Sequence, residues 1–214
     1  MLSKLVKSIL AGVAISIGGT IFLTLRATNN VMGALMFSVG ILMVMEFKLL
    51  LYTGYVPTSR ESQKFGNYLL NTTGVFIGNL LGAMITALLI SLTTVGDKLF
   101  DVATAVCNAK LGENFLGDGI LLNLLSVFVL SIFCGIIIAA IVKATNLKHK
   151  VLYVAFMIAV FILCGFEHVV ADAFYFALSL QLYTLEGIVF MIICMLGNFV
   201  GGFICSFVKT PEKN

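Results

Sequence analysis

Charge is scarce in this chain. Asp, Glu, Lys and Arg make up 11% of its 214 residues while hydrophobic residues make up 60%, against the roughly 25% charged residues of a soluble domain. That scarcity excludes a sizeable soluble domain and places any working part within a lipid bilayer. The net charge of +3 is spread around the ends of apolar runs, so it speaks to membrane orientation and not to nucleic-acid binding. Metal-site spacing is missing too. Cys107, Cys134, Cys164, Cys194 and Cys205 contain no CxxC pair and read as small buried hydrophobes, with no metal site and no disulfide framework. No H-E-x-x-H motif and no G-x-S-x-G elbow occurs, which removes two familiar routes to an enzyme. Nothing calls for a cofactor.

What the chain has instead is long apolar runs, at about 5–26, 31–51, 67–95, 116–142, 149–180 and 185–208. A crossing takes ~20 such residues, so these predict an all-α membrane protein of six transmembrane helices. The opening run has a charged start but no clear small-residue cleavage site, and reads as a retained first span. Lys4, Lys7, Arg60, Lys64, Lys143, Lys148, Lys150, Lys209 and Lys213 fall on one side of that arrangement, and Arg26, Lys98 and Lys110 on the other. Basic residues accumulate in cytoplasmic connections. A multi-pass protein of the inner, cytoplasmic membrane with both termini in the cytoplasm is therefore expected.

Two of the runs are interrupted. Gly54 and Pro57 argue against a continuous second helix, and Gly165 precedes ionisable residues in the fifth. Irregular backbone at membrane depth persists only where protein or a cavity surrounds it, so both breaks point inward. Gly78-Asn79 in the third run is echoed by Gly197-Asn198 in the sixth, and Thr53 before Asn79 is echoed by His168 before Asn198. Three spans per half imply two inverted three-helix repeats, about 1–95 and about 116–209, in one channel domain over 1–214. Interrupted segments at matching places in inverted halves point to a transport site at their interface. Asn79 and Asn198 are expected to take up the free backbone groups of the breaks.

Glu167, His168 and Asp172 stand in the middle of the fifth run. Ionisable groups at that depth are costly and by default mark a pathway for ions or protons. A neutral His168 donates to an anion without the cost of an isolated buried charge. Glu167 is expected to brace the break by accepting backbone N–H groups, and Asp172 to do the same at the start of the following half-helix. Glu46 and Lys48 do not share a helical face. Lys48 is expected either to snorkel toward an interface or to meet an acid from a neighbouring span, with Glu167 and Asp172 the nearest candidates by motif.

Four segments together resemble the formate/nitrite transporter family: Ala11-Gly12-Val13-Ala14-Ile15-Ser16-Ile17-Gly18, Leu51-Tyr52-Thr53-Gly54, Gly119-Ile120-Leu121-Leu122-Asn123, and Gly165-Phe166-Glu167-His168 followed by Val169-Val170-Ala171. The resemblance implies an aquaporin-like bundle with one pore per protomer and a homopentameric ring. It implies that Thr53 lies against the central pore His168, that Asn123 and Asn198 stand near the breaks, and that Lys110 draws anions to the periplasmic vestibule. It also implies that Leu51, Tyr52 and Phe161 form apolar constrictions, which exclude hydrated ions. The chain departs from the family at Leu50, where an acid is usual, and at Asp172, where asparagine is usual.

The resulting expectation is a channel or transporter for a small monovalent anion or its conjugate weak acid, such as formate, nitrite or hydrosulfide, with proton coupling at His168. An aquaporin-like channel for a small neutral solute is the alternative. The absence of any Asn-Pro-Ala pair, with Pro57 and Pro211 the only prolines, argues against it.

Overall fold

The computed structural model of the chain describes residues 3–144 and 149–208. Lys148, Lys209 and Lys213, three of the residues that set the expected orientation, lie outside them. The regular structure described is helical throughout: α1 (Lys4–Arg26), α2 (Asn30–Glu46), α3 (Tyr52–Ser59), α4 (Phe65–Ser91), α5 (Thr94–Leu111), α6 (Ile120–Lys143), α7 (Lys150–Leu163), α8 (Val169–Leu178) and α9 (Leu185–Ser206), with a 3-10 turn at Gln181–Tyr183. Among the described residues, α1, α4, α6 and α9 are the helices long and apolar enough to cross a membrane. Their outer faces carry exposed side chains such as Leu88, Leu121, Leu122 and Ile204, a surface suited to lipid or to neighbouring subunits and not to water.

Small residues bring these long helices together in two similar pairs. In the α1–α4 pair, a Cβ added to Gly12 would run into the Asn79 carbonyl, and one added to Gly82 would run into that of Ile9. In the α6–α9 pair, a Cβ on Gly135 would meet the Asn198 carbonyl and one on Gly201 that of Ile132. Helices surrounded by lipid gain no hydrophobic advantage from meeting, so close backbone approach and dispersion hold them. At the end of α6, the Lys143 ammonium donates to the carbonyls of Cys205 and Val208, at 2.7 and 2.6 Å, and so closes the last turn of α9.

The first break differs from the expectation. Gly54 and Pro57 lie inside α3, and the chain turns earlier, at Lys48, which has a φ of 52°. The Leu49 N–H donates to the Val44 carbonyl (2.9 Å) and the Lys48 N–H to that of Met45 (3.3 Å), the paired bonds that end a helix through a left-handed residue. Gly165 ends α7 in the same way, with φ 70° and bonds from Phe166 to Phe161 (3.0 Å) and from Gly165 to Ile162 (3.1 Å). Pro57 has a subtler effect. Lacking an N–H, it leaves the Thr53 carbonyl without its usual helical donor.

A second difference is α5, which lies in a stretch read from the sequence as a connection. The Thr93 hydroxyl accepts from Gly96 N–H, Asp97 occupies the first turn and Lys110 the last, an arrangement matched to the helix dipole. Its buried face of Leu99, Ala103, Val106 and Cys107 packs on α8. That packing carries Lys110 into the interior.

Candidate transport site

Two buried asparagines organise the breaks. Asn79 accepts from the Tyr52 N–H at 2.7 Å and donates to the carbonyls of Ser8 and Leu50, at 2.7 and 2.8 Å. Asn198 accepts from the Val169 N–H at 2.9 Å and donates to those of Ser131 and Glu167, both at 2.8 Å. Each amide thus ties one long helix to the carbonyl that ends an interruption and to the first N–H of the half-helix beyond it, groups that would otherwise be left unpaired. With its amide fully engaged in this way and its side chain lining neither cavity described below, Asn198 has no polar group left for a permeating solute.

The matching bonds fix a register in which Lys48 corresponds to Gly165, Leu50 to Glu167 and Tyr52 to Val169. His168 therefore corresponds to Leu51 and not, as the sequence echo suggested, to Thr53. Both are N-caps with extended backbone, Leu51 of α3 without a side-chain cap bond and His168 of α8 with one.

His168 Nδ1 accepts from the Ala171 N–H at 3.2 Å. A nitrogen that accepts carries no hydrogen, so the proton of the neutral ring resides on Nε2. Nε2 lies 2.9 Å from Thr53 Oγ1, and its N–H donates to that oxygen. The hydroxyl hydrogen of Thr53 is left to face another acceptor. Both residues are buried, Thr53 completely.

Cavities open on either side. The first, of about 580 Å³, is lined by His168, Phe161, Asn123, Arg26 and the Lys110 cluster described next. The second, of about 420 Å³, is lined by Leu51, Gly54, Tyr55, Lys48 and Lys150. Helix α7 starts at the second with Lys150 and reaches the first with Leu163, a rise of ~20 Å at 1.5 Å per residue. Phe161 packs edge-on against Phe37 with ring centroids 5.9 Å apart, and its centroid is 6.1 Å from that of His168. Tyr52 is turned elsewhere. Its hydroxyl donates to the Met195 carbonyl at 3.0 Å and its ring leans on Phe76, so it lines neither cavity.

Lys110, Glu167 and Asp172 form a buried cluster in the wall of the first cavity. The Lys110 ammonium donates to the Glu167 carboxylate and lies 3.1 Å from Asp172 Oδ1. Glu167 thus gives its carboxylate to a cation and not to backbone N–H groups, while its carbonyl takes the Asn198 amide. Lys48 forms no ion pair among the described residues; it is exposed, and the acids proposed for it are held by Lys110. Asn123 donates to the carbonyls of Asn114 and Phe115, at 3.2 and 3.1 Å, and pins the loop before α6. The ion cluster had no local signal, because Lys110 lies on a separate helix 57 residues from Glu167. A helix reading of 94–111, with Lys110 in its last turn, would have been needed to find it.

The formate/nitrite transporter family profile matches residues 1–210. The chain belongs to the formate/nitrite transporter family. As a member of a transporter family it is a membrane transport protein and not an enzyme. Solved structures share its fold, two of them as follows. One, described as a pentameric formate channel with formate bound, has a TM-score of 0.72 and 23% identity, over 94% of this chain and 92% of that one. Another, described as an FNT family ion channel, has a TM-score of 0.77 and 23% identity, over 94% of this chain and 85% of that one. Among curated proteins no sequence matches.

Proposed function

We propose that this formate/nitrite family member conducts a small monovalent anion or its conjugate weak acid, such as formate, nitrite or hydrosulfide, between the two cavities and past Thr53 and His168. The observation that carries this reading is the 2.9 Å bond between Thr53 Oγ1 and His168 Nε2, buried between two open cavities. Arg26 at one cavity and Lys48 and Lys150 at the other raise the local anion concentration. Leu51 and Phe161 narrow the path on either side and admit a neutral acid more readily than a hydrated anion. A proton delivered near His168 reconciles the two demands, since it converts the captured anion into the form that crosses the apolar rings.

In this reading α2 with α3 and α7 with α8 are the broken second and fifth spans of six. The recurring asparagine bonds support two inverted repeats within one channel domain, and the distribution of basic residues supports both termini being cytoplasmic. The exposed apolar flanks suit a homopentamer, the assembly of the formate channel that shares the fold.

Flux of formate, nitrite and hydrosulfide into liposomes carrying the purified protein tests the reading, with His168→Asn and Thr53→Ala alongside. Removing a donor to a charged solute costs about 1.5–3 kcal/mol, so Thr53→Ala, which deletes the hydroxyl hydrogen left free, is expected to slow flux by roughly 10- to 100-fold, and flux is expected to fall also when the ring that orients this hydroxyl is lost in His168→Asn. Unchanged flux in that variant would remove the side chain from the pathway. Osmotic swelling that ignores both anion and pH would favour a neutral-solute channel instead.

A further inference from the structure

One ammonium cannot neutralise two carboxylates. Lys110 serves both Glu167 and Asp172, whose side chains are 7% and 2% exposed, and no second cation forms an ion pair with either among the described residues. With every group ionised the cluster has a net charge of −1, in the wall of the cavity that leads to His168. It becomes neutral only by holding one proton. The positive end of α8, in whose first turn Asp172 stands, compensates only in part. Asp172 Oδ2 faces the Cys194 thiol from α9 at 3.7 Å. Cys107 comes from α5 and Cys134 from α6, while His168 and Tyr175 are on or beside its own helix, and Arg26 of α1 stands across the same cavity.

We propose that the Lys110–Glu167–Asp172 cluster binds one proton, and that Asp172 thereby determines the pH range over which the pore accepts anions. With the proton bound, the cavity wall is neutral and Arg26 governs its field. Without it, the buried negative charge repels an anion approaching His168. The inference rests on the transport reading above.

The test uses the full-length protein in liposomes and formate, with flux expressed per unit of formic acid present at each pH, so that titration of the cargo is divided out. In the unaltered protein this normalised flux is expected to fall by about tenfold or more between about pH 6 and about pH 9, the scale of one added charge beside a partly buried path. Asp172→Asn leaves one carboxylate for one ammonium and is expected to keep its normalised flux across that range. Infrared spectra supply a readout independent of transport: a protonated-carboxyl band that disappears on raising the pH in the unaltered protein and is missing in Asp172→Asn. If Asp172→Asn does not fold, Glu167→Gln restores the same balance and is expected to flatten the pH profile likewise. The same pH profile and the same infrared band in the unaltered protein and the folded variant would overturn the inference. Absence of any anion flux with the infrared band intact would instead overturn the transport reading and leave the proton site standing.

Discussion

Replacing Asn198 with alanine removes one acceptor and two donors from a completely buried position. The losses are unequal. The Ser131 carbonyl lies within α6 and keeps its helical partner, whereas the Val169 N–H and the Glu167 carbonyl flank a break and have no substitute. A buried polar group left unpaired costs about 1–3 kcal/mol, which gives roughly 2–6 kcal/mol for these two. Hydrogen bonds inside membrane proteins average nearer 0.6 kcal/mol, because the unfolded chain in lipid also finds partners, so about 1 kcal/mol is the lower bound. At about 2–4 °C per kcal/mol for a chain of this size, a middle value near 4 kcal/mol lowers Tm by roughly 8–16 °C. Thermal unfolding of the purified protein in detergent measures this directly. Asn79→Ala, which removes the equivalent bonds from Tyr52 N–H and the Leu50 carbonyl, is expected to cost the same within about 1 kcal/mol, since additivity of like sites rests on like contacts. A Tm within a degree or two of the unaltered protein for either variant would refute the view that these amides hold the breaks.

Further tests probe the backbone. Gly165 has a φ of 70° and open space where a Cβ would go, so Gly165→Ala isolates backbone strain and is expected to lower stability by about 1–2 kcal/mol. Lys48→Gly, at the matching turn with φ 52°, is expected to raise it by up to about 1 kcal/mol, with both values read from denaturant or thermal unfolding. Gly201→Ala places a methyl against the Ile132 carbonyl and is expected to cost more than about 3 kcal/mol, seen as loss of folded protein on size exclusion, because neither backbone can retreat without parting α6 from α9.

Much of the bundle was legible because apolar length and helix length are set by the same bilayer. The long helices fall within a few residues of the runs read from hydropathy, and the fifth run resolves into α7 and α8, whereas the second run, 31–51, holds α2 and stops short of α3. The first break was harder to place. Gly54 and Pro57 draw the eye, but proline is tolerated early in a helix, and the left-handed turn is made by a lysine with no sequence mark. α5 escaped a hydropathy reading because it is amphipathic, although Thr93, Asp97 and Lys110 at its ends were available as signals. The Lys110 cluster and the register that sets His168 opposite Leu51 depend on contacts between distant segments, which periodicity does not carry.

Both nitrogens of the His168 ring are occupied. Nδ1 accepts from the first turn of α8, and the Nε2 hydrogen goes to Thr53. A neutral ring held in this way has no free lone pair for a further proton, and releasing the hydrogen it has would leave an imidazolate. The clamp therefore makes the imidazole an oriented dipole in the wall and not a relay: it forms no wire along which protons run alone.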